Sequence, residues 1–196
     1  MLLQILTYPD PRLREIALPV KQFGDPLKKL AEDMLETMYH AKGIGLAAPQ
    51  VGRLERFLVI DCRPKNEHGR YEIKEMTELE QKITQPLFMA NPSIVERRGK
   101  TTFEEGCLSV PTYYETVERA QWVRVRYQDL EGQEQMLETD GLLAIVIQHE
   151  MDHLEGTLFI DRISFAASQK IKSQIQKYGY SRPTSQKETE KEPNKI

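Results

Sequence analysis

The apolar positions of this chain change period several times, and each change marks an element. Leu27, Leu30, Met34, Leu35 and Met38 recur at helical spacing toward Lys42-Gly43, which predicts a helix with Asp25 as cap and Pro26 at its first position. Apolar runs around 57–61 and 88–95 fit short strands. Val123, Val125 and Tyr127 alternate with polar residues, and Asp129-Leu130-Glu131-Gly132 supplies a turn, so a long hairpin is expected over 116–138. Leu142, Leu143, Ile145, Val146 and Ile147 then form a nearly continuous apolar run, the pattern of a buried helix. Thr139 or Asp140 is suited to cap it and Gly156 to stop it. A last helical stretch over 164–178 puts Ile171 and Ile175 on one face. Residues 179–196 are polar and predict a disordered tail. The expected fold class is α+β, with antiparallel or mixed β-sheets wrapped around a buried central helix. One domain over 1–165, a C-terminal helix over 166–178 and the tail complete the expected organisation.

The buried run continues into Gln148-His149-Glu150-Met151-Asp152-His153, and ionisable groups in a core need partners. His149 and His153 lie four apart, on one helix face, so the pair can hold one divalent metal while Glu150 leans toward whatever else that metal binds. An ion with open positions beside a carboxylate activates water against a carbonyl, which is the chemistry of amide hydrolysis. A third ligand is still needed. His40 stands at the expected end of the first helix, where an imidazole answers the helix dipole, and His68 lies in a charged loop-like stretch. Cys107, within Glu105-Gly106-Cys107-Leu108-Ser109-Val110-Pro111, is the better candidate, because a thiolate suits zinc or ferrous iron and Gly106 lets the backbone pass close to the metal. A further segment, Gly43-Ile44-Gly45-Leu46-Ala47-Ala48-Pro49-Gln50, carries no charge. Its glycines permit close approach to a ligand, and Gln50 is a lone polar side chain beyond an apolar patch.

Taken together, these three segments resemble the peptide deformylase family, whose signatures run G-x-G-x-A-A-x-Q, E-G-C-x-S and H-E-x-x-H in that order. Tyr8-Pro9-Asp10-Pro11-Arg12-Leu13 is similar to the family's opening, and the resemblance spans roughly residues 4 to 165. It implies that Cys107, His149 and His153 bind the metal, Fe²⁺ or alternatively Zn²⁺, with a water in the fourth position. It implies that Glu150 is the general base and then the acid, and that Gln50 and the backbone N–H of Leu108 stabilise the oxygen that becomes charged. Ile44, Gly45 and Gly106 would bind the peptide. The implied substrate is the N-formyl group on the initiating methionine of newly made polypeptides, released as formate. Ile44, Leu142, Ile145 and Val146 are candidates for the apolar methionine pocket, although each is equally suited to plain core packing.

Two stretches depart from a minimal member. Residues 63–86 form a longer charged connection, with a short helix expected over 77–82, and are read as a surface insertion rather than a lid. Some members carry an arginine shortly after the proline of the cysteine segment. Here Thr112-Tyr113-Tyr114 follows Pro111, and Arg119 comes further on. From Ala166 to the end, seven Lys/Arg face three Asp/Glu, and similar terminal helices in the family are linked to ribosome docking. On that reading, a chain ending near Arg162 keeps activity on short formyl peptides and loses the ribosome.

Length and composition narrow the class. A chain of 196 residues suits one domain with a real core. Of its two cysteines, one is a candidate ligand and Cys62 reads as a passive thiol, so no disulfide is expected and a reducing cytoplasm fits. Met1-Leu2-Leu3-Gln4-Ile5-Leu6 lacks the features of a secretory leader, and no segment approaches membrane-spanning length. The net charge of −3 decides nothing about nucleic acid, and no direct DNA binding is expected. A broader HExxH metallopeptidase and a non-catalytic, metal-bound, ribosome-associated protein are the competing classes. The second would have no need of Glu150 or Gln50.

Overall fold

A computed structural model describes residues 1–180. The apolar stripe that begins at Leu27 forms α1 (Asp25–His40), which buries Leu27, Leu30, Met34 and Met38. Gly24, at φ +88°, takes the cap position expected of Asp25, and the carbonyl of Gly24 accepts the first helical bond, from Lys28 N–H. Seven strands follow α1: β1 (Gly45–Ala47), β2 (Phe57–Ile60), β3 (Leu87–Arg98), β4 (Thr101–Cys107), β5 (Val110–Arg119), β6 (Trp122–Gln128) and β7 (Glu134–Thr139). After them come α2 (Gly141–Leu154) and α3 (Phe165–Tyr178). All pairings between these strands are antiparallel, in a five-stranded sheet of order β1-β2-β3-β6-β7 and a separate two-stranded sheet β4-β5.

The period of two explains how the large sheet sits. On β2, Phe57 and Val59 point to the α1 side, while Leu58 and Ile60 point to the α2 side, so the strand is buried on both faces. Burying one such side chain contributes about 1.5–3 kcal/mol. Four of them on one strand are therefore comparable with the net stability of a whole domain. Every α2 residue from Leu143 to Leu154 except Met151 is buried, so this is the central helix that the apolar run predicts.

Three further expectations differ from the structure. The hairpin expected over 116–138 is shorter, with β6 and β7 pairing from Val123↔Thr139 to Gln128↔Glu134. Residues 116–119 instead end β5, where Thr116 faces Glu104 and Arg119 faces Thr101. The break falls at Ala120, whose N–H and carbonyl both bond the side-chain amide of Gln148 on α2. The start of α2 differs too. Neither Thr139 nor Asp140 caps it by side chain; Asp140 accepts from the Thr77 hydroxyl instead. The Glu80 carboxylate, in the charged connection, accepts the Leu143 N–H at 2.8 Å. Gly141, at φ +62°, has no room for a Cβ against that carboxylate. The connection is thus anchored to the core by its second half rather than lying on the surface, and its expected helix is a short 3-10 turn, Glu80–Lys82.

The third difference lies at the C-terminus. Ile171 and Ile175 of α3 pack against Val110, Val117, Leu158 and Phe159, in a cluster that also contains Cys107. The Tyr180 hydroxyl, assigned to the tail from sequence, donates to the Tyr8 carbonyl at 2.6 Å. A chain ending near Arg162 would uncover the apolar wall behind Cys107, so α3 is not a detachable appendage. The rest of the expected tail, 181–196, lies outside the described residues. No described helix is long and apolar enough to cross a membrane.

Candidate metal centre

Three elements bring the ligands together. Cys107 ends β4, and Leu108-Ser109 turn the chain directly into β5, where Val110 pairs with Cys107. His149 and His153 stand one turn apart on α2. The sulfur and one nitrogen of each imidazole lie within 4.8 Å of one another, all three residues buried. The Cys107 Sγ is 3.3 Å from His153 Nε2. His149 Nδ1 lies 2.8 Å from a Glu105 oxygen, so this nitrogen carries the proton and donates it to the carboxylate. Nε2 of His149 then keeps its lone pair, and it has no hydrogen-bond partner among the described residues. A buried imidazole nitrogen without a partner, facing a thiol and a second imidazole, is the donor set of a tetrahedral metal site. The residues fit the ion.

Charges behind the site are compensated in series. Glu105, fully buried, takes both ends of the Arg119 guanidinium fork, at 2.7 and 2.8 Å. The third guanidinium nitrogen donates to Asp152 at 2.6 Å, and Arg162 pairs with both oxygens of the same Asp152. Arg119 therefore belongs to the metal centre, although it lies well past the position where an arginine is expected from resemblance. His153 stays neutral, because burial pushes its pKa well below the usual imidazole value and His149 adds to the effect. The neutral form is the one that ligates. Burial likewise pushes the free Cys107 thiol up, which makes thiolate formation dependent on the ion. The other thiol, Cys62, is pushed up to about 12 by burial and is passive, as read from sequence.

Burial pushes the Glu105 carboxyl up, but Arg119 and then His149 more than reverse this, leaving it at about 2 against an ordinary 4.5. A depressed folded-state pKa stabilises the fold above the unfolded value, and the gain disappears as pH falls from 4.5 toward 2. The size is about 3 kcal/mol. In urea unfolding of the metal-free protein, the stability difference between the native chain and Glu105→Gln should shrink steadily between pH ~5 and ~2. A difference that does not change with pH would show that Glu105 is not held as an anion.

Glu150 and Gln50 complete the centre. Both Glu150 oxygens are buried without a hydrogen-bond partner among the described residues. Burial pushes this carboxyl well above the usual range, with the Glu105 charge adding to it. A Cβ at Gly45 would fall on that carboxylate, which is why a glycine passes here. Gln50 sits in a 3-10 turn after β1. Its Oε1 accepts from Ala47 N–H at 2.8 Å, which turns Nε2 toward the Ser109 hydroxyl (3.2 Å) and Cys107 Sγ (3.6 Å). Leu108 is buried in the adjacent turn. Of the other sequence candidates, Ile44 and Leu142 are half-buried and line one cleft, whereas Ile145 and Val146 are buried in the core between sheet and α2. The Ile44 carbonyl is taken by the Asp61 amide, so the alternating register turns the N–H and C=O of Gly45, not the carbonyl of Ile44, to the open edge of β1. The space beside Gly106 is filled by the Tyr114 ring. Glu105, Arg119, Asp152 and Glu80 carry no role in the sequence reading. The available signal was an unpaired acid, Asp152, inside a buried helix.

The family model for polypeptide deformylase matches residues 2–169. A peptide deformylase of Nitrosococcus oceani is 49% identical over 176 residues, 90% of this chain and 95% of the relative. One from Alkalilimnicola ehrlichii is 47% identical over the same length, 90% of each chain. The crystal structure of peptide deformylase from Ehrlichia chaffeensis superposes with a TM-score of 0.79 at 35% identity, covering 93% of this chain and 99% of that one. Three converging ligands, a bare carboxylate beside them and these likenesses along the chain all agree: it belongs to the polypeptide deformylase family.

Proposed function

We propose that the chain removes the N-formyl group from the initiator methionine of newly made polypeptides and releases formate. The observation that carries this is the convergence of Cys107, His149 and His153 beside a Glu150 carboxylate that has no hydrogen-bond partner among the described residues. A thiolate and two imidazoles accept Fe²⁺ or Zn²⁺, and we take ferrous iron as the working metal, which also makes the centre oxygen-sensitive. When bound, the ion supplies Lewis-acid activation of water at neutral pH.

The remaining steps belong to side chains. Glu150 takes a proton from the attacking water and later hands one to the leaving amine. Gln50 Nε2, aimed by the Ala47 amide, and the Leu108 N–H donate to the carbonyl oxygen as it becomes negative. The open edge of β1 offers Gly45 N–H and C=O to the extended peptide, which adds as a further strand. Ile44 and Leu142, which line the cleft, with Ile145 and Val146 buried in the cluster they pack against, form the apolar pocket for the methionine side chain. A formyl group is the smallest acyl group, so a tight site can admit its bare H–C=O edge and exclude larger amides.

Formate release by anaerobically purified protein, with metal analysis on the same sample, tests this. Release is expected from formyl-Met peptides, none from acetyl-Met peptides, with about one equivalent of iron per chain. Cleavage within unformylated peptides would favour the broader peptidase, and bound metal without any turnover the scaffold. We place the protein in the cytoplasm, which suits two free, buried cysteines. Ribosome docking through the outer face of α3, where Lys170 and Lys177 are exposed opposite buried Ile171 and Ile175, is part of the same proposal.

A further inference from the structure

The charged connection does more than cap α2. Its first half forms the outer wall of a cleft of about 540 Å³ whose inner wall is Gly43, Ile44 and Leu142. Asp61 is the centre of that outer wall. It accepts both arms of Arg63 at 2.7 Å, and the hydroxyls of Tyr39 and Tyr71. Arg63 in turn lies 3.9 Å over the Tyr71 ring. The two rings thus held flank Lys65, whose ammonium is 5.0 Å from the Tyr39 centroid and 4.9 Å from that of Tyr71. This is a braced platform carrying an exposed ammonium.

The lining cations and acids are equal in number, Lys42, Arg63 and Lys65 against Asp61, Glu75 and Glu80, but they are not paired one to one. Arg63 neutralises Asp61. Glu80 is buried and turned to the Leu143 and Thr77 amides. Glu75, the remaining acid, sits against Glu72 rather than against a cation. Among the described residues, Lys42 and Lys65 form no ion pair with a carboxylate, and both are exposed on the cleft. They are the two cations free to meet a ligand.

Geometry says which ligand arrives there, given the deformylase reading on which this inference rests. Gln50 and the metal ligands lie beyond the C-terminal end of β1, so the formyl end of a bound peptide must lie there too. A chain pairing with the open edge of β1 therefore runs antiparallel, from Gly45 back past Gly43. β1 begins at Gly45 and Lys42 lies in the turn that ends α1, at φ +57°, so the peptide leaves the strand edge after its methionine; at about 3.3 Å per residue its third and fourth residues pass out over Gly43 and that turn, at the mouth of the cleft. We propose that the mouth of this cleft, outside the Ile44 and Leu142 wall that receives the methionine, is an accessory subsite for the third and fourth residues of the nascent chain, and that Lys65, with Lys42, selects acidic side chains there.

Rates of formate release from three tetrapeptides, formyl-Met-Ala followed by two Glu, two Gln or two Lys, test the assignment, with a formyl-Met dipeptide that ends short of the cleft as the baseline. For the native chain, kcat/KM should fall in the order Glu, Gln, Lys, with about three- to fivefold between the extremes at low salt, the size of an exposed ion-pair effect. The difference should reside in KM rather than kcat and should vanish near 1 M salt. Lys65→Ala should bring the Glu/Lys ratio toward one, and Lys65→Glu should invert it. A native ratio of one, a preference for Lys, or a ratio that Lys65→Glu does not move would overturn the subsite while leaving deformylation intact. Absence of formate from the dipeptide as well would overturn the deformylase reading, and the subsite with it.

Discussion

Glu150→Gln is expected to keep its metal and lose about two to four orders of magnitude in kcat, the range for a proton-transfer group. The substitution keeps the shape of the side chain, so Gly45 still passes beside it and the imidazoles on either side of position 150 keep their helical geometry. What disappears is the ability to accept and return a proton. The stability change has the opposite sign. Native Glu150 is a buried carboxyl with no hydrogen-bond partner among the described residues, and burial holds its pKa well above the ordinary value. A raised carboxyl pKa means that the ionised group costs stability above that ordinary value, so an uncharged amide relieves the cost. The metal-free variant should unfold at the same or a higher urea concentration than the native chain at neutral pH, as sites that trade stability for activity do. Formate assays, metal analysis and urea melts on the same preparations check all three statements. Equal formate release by variant and native chain would remove Glu150 from the mechanism.

The parts of this centre that can be read from sequence are those written in local spacing. His149 and His153 are four apart on a helix, and a helix forces them onto one face. Gly45 and Gln50 lie close in sequence, the one opening β1 and the other in the 3-10 turn that directly follows it. The supporting charges have no such signature. Glu105 lies inside a recognised segment, yet nothing near it in sequence shows that it bonds a histidine on α2. Arg119 reaches Glu105 and Asp152 only because β5 folds back on β4 and crosses α2, a fact of tertiary pairing. The same reason hides Glu80, which caps α2 from a segment that reads as charged surface, and Gln148, whose amide ends β5 by holding Ala120. Alternation alone merges the end of β5 with β6 into one long hairpin, since no glycine or proline marks the break. The fold class was legible because buried helices and alternating strands carry period, and periods survive without knowledge of partners.

Arg119→Leu should cost about 3–5 kcal/mol, the consequence of leaving buried carboxylates without their cation. Arg119 is nearly fully buried and holds Glu105 by two bonds and Asp152 by one. Asp152 keeps Arg162 after the substitution, whereas Glu105 keeps, among the described residues, only His149. Glu105 is therefore the group that changes state. With burial no longer opposed by the guanidinium, its pKa rises from about 2 back toward or beyond 4.5, and it takes up a proton at a higher pH than in the native chain. A neutral carboxyl is a weaker acceptor for His149 Nδ1–H, so the imidazole is less firmly oriented. Loss of such a partner typically lowers metal affinity by about 10–100-fold. Urea melts of the metal-free protein and metal competition against a chelator should move together. Arg119→Lys separates charge from geometry. It restores a cation but cannot span both Glu105 oxygens and Asp152, so it should recover part of the stability and less of the metal affinity. If Arg119→Leu binds metal and resists urea as the native chain does, the Glu105–Arg119 pair does not orient His149, and the ligand is held by packing, against Phe159 and His153 among its neighbours.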